Sequence, residues 1–164
     1  MKARIFAILG ALTLAISFGI GSGQVASAIS TQNQYCNGGY CLNAYNEGPY
    51  VNAYHTNVVN NDFLAFANGP YENIEYTGPG PYQNECISDY GNNSSDARAG
   101  LSGFCASGQI SWGANFVVEG CGNNTYAFKD VRWGGYLTPN AHSNGSPFYL
   151  NSTTKTCYQV DGAV

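Results

Sequence analysis

The chain predicts an all-β fold on three observations. After residue 28 the apolar runs are short, and β-branched and aromatic residues are frequent within them. Clusters of Gly, Asn, Pro and Ser break these runs every eight to twelve residues. Amphipathic helical periodicity is almost absent beyond that point. Many short strands separated by turn signals at this spacing define a sandwich or a barrel.

The first residues form a separate element. Lys2 and Arg4 precede an apolar run over residues 5–20, and the small triplet Ala26-Ser27-Ala28 follows. That is the layout of a secretory signal, so residues 1–28 are expected to be removed and are excluded from the fold. A retained anchor fits less well, because the run is short for a bilayer span and Gly19, Gly21 and Gly23 interrupt its end. Residues 29–35 read as a loose N-terminal tail, and residues 36–164 as one all-β domain. Within it, Asn37-Gly38-Gly39, Glu47-Gly48-Pro49, Asn68-Gly69-Pro70, Gly78-Pro79-Gly80-Pro81 and Asn144-Gly145 are turns. Glycine supplies positive φ, proline fixes φ, and asparagine tolerates the left-handed region.

Charge and cysteine content narrow the partners. Without Lys2 and Arg4, four basic residues face ten acidic ones, a net charge of −6. No basic patch is available to neutralise phosphates, which argues against nucleic acid, and no membrane insertion is expected after signal removal. The six cysteines all follow the cleavage site, as three disulfides of an exported, extracellular domain would require. A monomer is expected.

The same spacing recurs along the chain. Leu42 is followed by Tyr54 twelve residues on and by Phe63 nine further; Leu137, Tyr149 and Tyr158 repeat it. Ile87, Phe104 and Phe116 give a longer version at seventeen and twelve. Each series ends in a similar segment, FLAF at 63–66, FVVE at 116–119 and YQVD at 158–161. Three units of about 40 residues result, over roughly 36–78, 79–122 and 123–164.

Such units, each with an aliphatic residue after a Cys-like position, an aromatic strand and a closing aromatic, resemble the ricin-type β-trefoil lectin domains. The piece ECISDYGNNSSDARAGLSGFCASGQISWGANF at 85–116 carries most of the likeness, with Cys86 and Cys105 nineteen residues apart. The resemblance implies a β-trefoil of three pseudo-repeats, with Phe63, Phe116 and Tyr158 as closing core residues and a Cys86–Cys105 disulfide. For the other cysteines the favoured pairs are Cys36–Cys41, around the turn NGGY, and Cys121–Cys157, among the fifteen pairings that six cysteines allow.

A sugar needs a ring to stack on and amides or carboxylates for its hydroxyls. The resemblance places an acid just after the opening aliphatic, a ring on the second strand and an amide before the closing aromatic. Unit one offers Asn43, Tyr54 and the amides Asn60 and Asn61; unit two offers Ser88 with Asp89 one position late, and Phe104; unit three offers Thr138 and Tyr149, with Lys155 and Thr156 where the amides would be. No unit keeps the whole set, and unit one keeps most of it. Asn60-Asn61-Asp62 also reads as a plain turn before a strand. Tyr45 and Tyr50, flanking the Glu47-Gly48-Pro49 turn, are further stacking candidates.

Other chemistry has less support. His55 and His142 lack metal-ligand spacing and read as solvated loop residues, so neither a metal nor a cofactor is expected. Glu72 and Glu75 would face opposite sides of one strand, which does not suit a hydrolytic acid/base pair. Ser94, Ser95 and Asp96 have no histidine at a triad's spacing. Trp112 and Trp133 read as core, with exposed rings as the other possibility, and the sequons at Asn93, Asn123, Asn144 and Asn151 read as surface loops. The expected function is that of a secreted, non-catalytic domain recognising a glycan or another extracellular polymer. A secreted inhibitor or protein-interaction module, presenting a loop such as 88–103, is the alternative on the same fold.

Overall fold

The computed structural model describes residues 33–44, 49–55, 61–90, 97–104 and 115–162. They form twelve strands and no helix. In chain order these are β1 (Asn33–Asn37), β2 (Tyr40–Asn43), β3 (Asn52–His55), β4 (Phe63–Asn68), β5 (Tyr71–Tyr76) and β6 (Glu85–Asp89). They continue with β7 (Ala99–Phe104), β8 (Phe116–Gly122), β9 (Thr125–Asp130), β10 (Tyr136–Pro139), β11 (Ser146–Ser152) and β12 (Tyr158–Gly162).

Six strands pair into a closed ring. β1 meets β4 with Asn33 opposite Phe63, β4 meets β5 along its whole length, and β5 meets β8 with Glu72 opposite Phe116. β8 continues to β9, β9 to β12 and β12 back to β1, every contact antiparallel. Among the described residues each ring strand is paired on both sides, which protects the edges that would template aggregation. The remaining strands form three hairpins, β2 with β3, β6 with β7 and β10 with β11.

The N-terminal tail is shorter than the sequence suggests. Residues 33–35 were expected in the loose tail, but they begin β1, which runs against β12 from Asn33 opposite Gly162 to Cys36 opposite Gln159. Tyr35 is fully buried there, so its burial and the ladder to the far end of the chain hold the segment down. β5 lies between β4 and β8, joined to β4 through the turn at Asn68-Gly69-Pro70.

The opening and closing members of the spacing series read from the sequence are core. Leu42, Ile87 and Leu137 are fully buried, as are Phe63, Phe116 and Tyr158. Each buried side chain of this size removes enough apolar surface to stabilise the fold by about 2 kcal/mol. Phe128 gathers the rings at their centre: Tyr35 and Phe116 meet it edge-on at 5.4 and 6.2 Å, and Tyr158 lies 6.1 Å away. The tyrosine hydroxyls are satisfied rather than stranded. Tyr35 Oη accepts from the Ala65 N–H at 3.0 Å, Tyr158 Oη donates to Leu137 O at 2.7 Å, and Tyr76 Oη donates to Pro79 O at 2.9 Å.

Local chemistry explains the tight corners. Gly38 and Gly39, at φ 58° and 81°, let β1 turn directly into β2. At Gly135 any Cβ would collide with the backbone of Asn151, so only glycine lets the start of β10 pass β11. Disulfides join Cys36 to Cys41 across the first hairpin and Cys121 to Cys157, the two pairs favoured from the sequence. Cys86 is disulfide-bonded, and Cys105 lies outside the described residues.

Candidate functional site

The residue after each opening aliphatic is tied into its own unit. In the first, Asn43 Nδ2 donates to Asn61 Oδ1, and Asn61 Nδ2 reaches His55 O at 3.5 Å. In the second, the hydroxyls of Ser88 and Ser102 bond to each other. In the third, Thr138 Oγ1 donates to Thr154 O at 3.0 Å. The three positions therefore hold hairpins to the chain around them before any ligand is considered.

Unit one turns its amides inward. Asn43 and Asn61 are buried, at 0% and 1% exposure, and they face each other rather than solvent. Tyr54 is half-buried on β3, with its hydroxyl near Gly145 of the β10–β11 turn. Tyr45 and Asn60 lie outside the described residues. Asn61→Ala is expected to lower stability by about 2 kcal/mol in urea unfolding, because a buried amide loses its partner. An unchanged midpoint would show that the pair is dispensable.

Unit two is tied by charge. The Asp89 side chain is fully buried, with Oδ2 accepting from Trp133 Nε1 at 2.9 Å and facing Arg132 Nη1 at 3.4 Å. Trp133 packs against the core, partly buried, and the Arg132 guanidinium lies 4.7 Å from its ring centroid. Asp89 thus couples the second hairpin to the turn after β9. Phe104 ends β7 opposite Glu85, and only its backbone is described.

An open cleft lies beside the β10–β11 hairpin. It encloses about 850 Å³ between Asn37 of β1, residues 138–142 of β10 and its turn, Tyr149, Asn151 and Ser152 of β11, and residues 154–157. Thr138 and Tyr149 are directly opposite each other in the hairpin. Asn151 follows Tyr149 by two residues on the same strand and so shares its face.

Several bonds fix the walls of this cleft. Asn37 Nδ2 donates to Cys157 O at 2.8 Å, the Thr154 N–H donates to Ser152 Oγ at 3.0 Å, and His142 stacks on Tyr40 with centroids 6.1 Å apart. Lys155 Nζ contacts Glu119 Oε2 at 2.8 Å. That bond is the main cause that lowers the Glu119 pKa and raises the Lys155 pKa, so both stay charged near neutrality. One phenol ring, three side-chain amides (Asn37, Asn140 and Asn151), several hydroxyls and an internally paired ammonium suit a neutral polyhydroxylated ligand better than a charged one. Among the described residues no three His, Cys, Asp or Glu side chains gather as a metal site would need.

Four of these residues, Thr138, Tyr149, Lys155 and Thr156, were ligand positions of the third unit in the sequence reading. Asn37, Asn140, His142 and Asn151 were not. Asn151 was legible, because period two along a strand puts it beside Tyr149; the others come from turns and from the opposite end of the chain.

No protein-family model matches the chain, and no curated protein matches it. Solved structures do. A designed threefold-symmetric protein, ThreeFoil, superposes with a TM-score of 0.62 at 15% identity, over 80% of this chain and 98% of that one. The lectin of Polyporus squamosus, solved with the epitope Neu5Acα2-6Galβ1-4GlcNAc bound, superposes with a TM-score of 0.55 at 13% identity, over 83% of this chain. The match spans half of that lectin. Both neighbours are β-trefoil proteins, and at these identities the likeness is one of fold.

Proposed function

We propose that this chain is a secreted, non-catalytic, glycan-binding domain built as a three-unit trefoil, with its ligand in the cleft of the third unit. The units would be residues 33–68, 71–122 and 125–162, each contributing two ring strands and one hairpin. The observation that carries the reading is the cleft itself. It sets Tyr149 opposite Thr138 and beside Asn151, which combines a stacking face with polar groups where the family resemblance expects a sugar. The glycan-bound lectin among the structural neighbours is compatible with this reading. Disulfides suit an oxidising, extracellular setting.

A glycan array on the oxidised domain tests the proposal. Neutral glycans are expected to give signal, and Tyr149→Ala and Asn140→Ala are each expected to weaken it about tenfold or more, the loss of roughly one stacking or bidentate contact. Thermal midpoints should stay within a few degrees of the parent. An array without signal would sink the lectin reading and favour the inhibitor alternative.

A further inference from the structure

The second strands of the three hairpins meet around a common centre. Tyr50 bridges Gly100, Arg98 bridges Tyr149 and Ser146 pairs with Ala53, all antiparallel. Backbone bonds lock the junction: the Val51 N–H donates to Ala99 O, the Phe148 N–H to Val51 O and the Leu150 N–H to Ala97 O. Val51, Ala99 and Phe148 point into the core and are fully buried. Alternation along a strand then sends Tyr50, Arg98 and Tyr149 to the opposite, outer face.

Arg98 is unusual on that face. Its guanidinium carbon lies 3.6 Å from the centroid of the Tyr50 ring, and Tyr90, 43% exposed, meets Tyr50 edge-on at 5.0 Å. Nη2 donates to Asn52 Oδ1 at 3.3 Å, while Nε is buried without a partner. Arg132 and Lys155 each contact a carboxylate, whereas Arg98 forms no ion pair among the described residues, although acidic residues outnumber basic ones ten to six. A guanidinium stacked on one aromatic ring, with a buried unpaired Nε and no carboxylate partner among the described residues, has charge to offer an anion.

We propose that Arg98, with Tyr50 and Tyr90, forms a second subsite that takes the carboxylate of an acidic sugar residue. This inference rests on the cleft reading, because Tyr149, opposite Arg98 across the bridge, also lines the cleft, and a chain of sugars could run from one to the other. The saccharide assignment follows from that continuity and from the tyrosine rings, which offer stacking faces beside the charge. The cleft would set affinity for the neutral part of the ligand. The guanidinium would add preference for an acidic neighbour.

The experiment is an array of uronic- and sialic-acid-containing oligosaccharides, each printed beside its own methyl ester, an isosteric neutral control. The parent protein is expected to bind at least one acid about tenfold more strongly than its ester. Arg98→Gln should erase that preference by weakening the acid alone, and Arg98→Lys should restore part of it. Asn140→Ala, in the cleft, should weaken acid and ester together. Equal binding of acids and esters by the parent, an equal loss of both on Arg98→Gln, or no binding of either would overturn the proposal. Full competition by a hexaglutamate peptide would move the subsite to a protein partner and overturn the saccharide assignment. The cleft reading fails separately, if Asn140→Ala and Tyr149→Ala leave the binding of neutral glycans unchanged.

Discussion

Replacing Cys121 and Cys157 together by serine is expected to cost about 4 kcal/mol, twice the roughly 2 kcal/mol expected for the Cys36 and Cys41 pair. The difference follows from loop length. The first bridge closes a sequence separation of 36 residues and the second only 5, and the entropy withheld from the unfolded chain grows with the logarithm of that length. Register shows what the longer bridge holds. Tyr126 on β9 lies opposite Gly120 on one side and Tyr158 on the other, so a bond from Cys121 to Cys157 clips together the two strands that flank β9. For a domain of this size the loss should lower the thermal midpoint by on the order of 10 °C. Cys157 also lines the cleft beside Lys155 and Thr156, so glycan binding should fall in this variant and persist in the Cys36 and Cys41 variant. Calorimetry on both double variants checks the ranking. A larger loss for the short loop would contradict the entropic account.

The scaffold was more legible than the site, for a physical reason. Leu42, Ile87 and Leu137 recur because every hairpin must bury an aliphatic residue against the ring, and Phe63, Phe116 and Tyr158 recur because every closing strand must fill the same core. Such requirements act on each hairpin and each closing strand alike and leave a period. Tyr35 carried no such sign, because its anchor is a ladder to β12 more than 120 residues away, a pairing that no local pattern announces. The site depends on choices between specific partners. Tyr54 and Tyr149 hold the same place in the spacing series, yet only Tyr149 lines the cleft. In unit one the buried amide of Asn43 needs a partner and takes Asn61, which draws inward a residue that the spacing had assigned to a ligand. In unit three the shorter Thr138 bonds to a backbone carbonyl instead, and the amides that face the cleft come from Asn140 and Asn151. Spacing alone does not say which of these amides turns into its own hairpin and which lines a cleft. Arg98 was passed over for a related reason: its setting is assembled by three hairpins meeting, and no single unit contains it.

Stability should fall as pH rises from about 4 to about 7, and Asp130→Asn should remove most of that fall. Asp130 ends β9 at 1% exposure, and burial, followed by the nearby charge of Asp89, raises its pKa from the usual 3.8 to about 6. Hydrogen bonds from the backbone N–H groups of Trp133, at 2.7 Å to Oδ1, and of Arg132 oppose the rise but do not cancel it, and Oδ2 is buried without a partner. Between the two pKa values the native state keeps a proton that the unfolded chain releases, so the native state binds more protons and loses stability as pH increases. The contribution is fully present below about 3.8 and is gone above about 6. The rise from 3.8 to about 6 corresponds to about 3 kcal/mol over this window. Glu72, Glu75 and Glu85, raised by burial, add to the same slope, while Glu119, lowered chiefly by its bond to Lys155, acts in the opposite sense. Asparagine keeps the Oδ1 acceptor for the Trp133 N–H, so the turn into β10 should survive the substitution. The Asp130 N–H also donates to Gly135 O at 2.8 Å, a backbone bond that the side chain does not affect. Urea unfolding of parent and variant at pH 4, 5, 6, 7 and 8 separates the possibilities. Parallel stability profiles for the two proteins would show that Asp130 ionises without cost in the folded state. A flatter profile for the variant, crossing above the parent at high pH, would show that the buried carboxylate is what the fold pays for near neutrality.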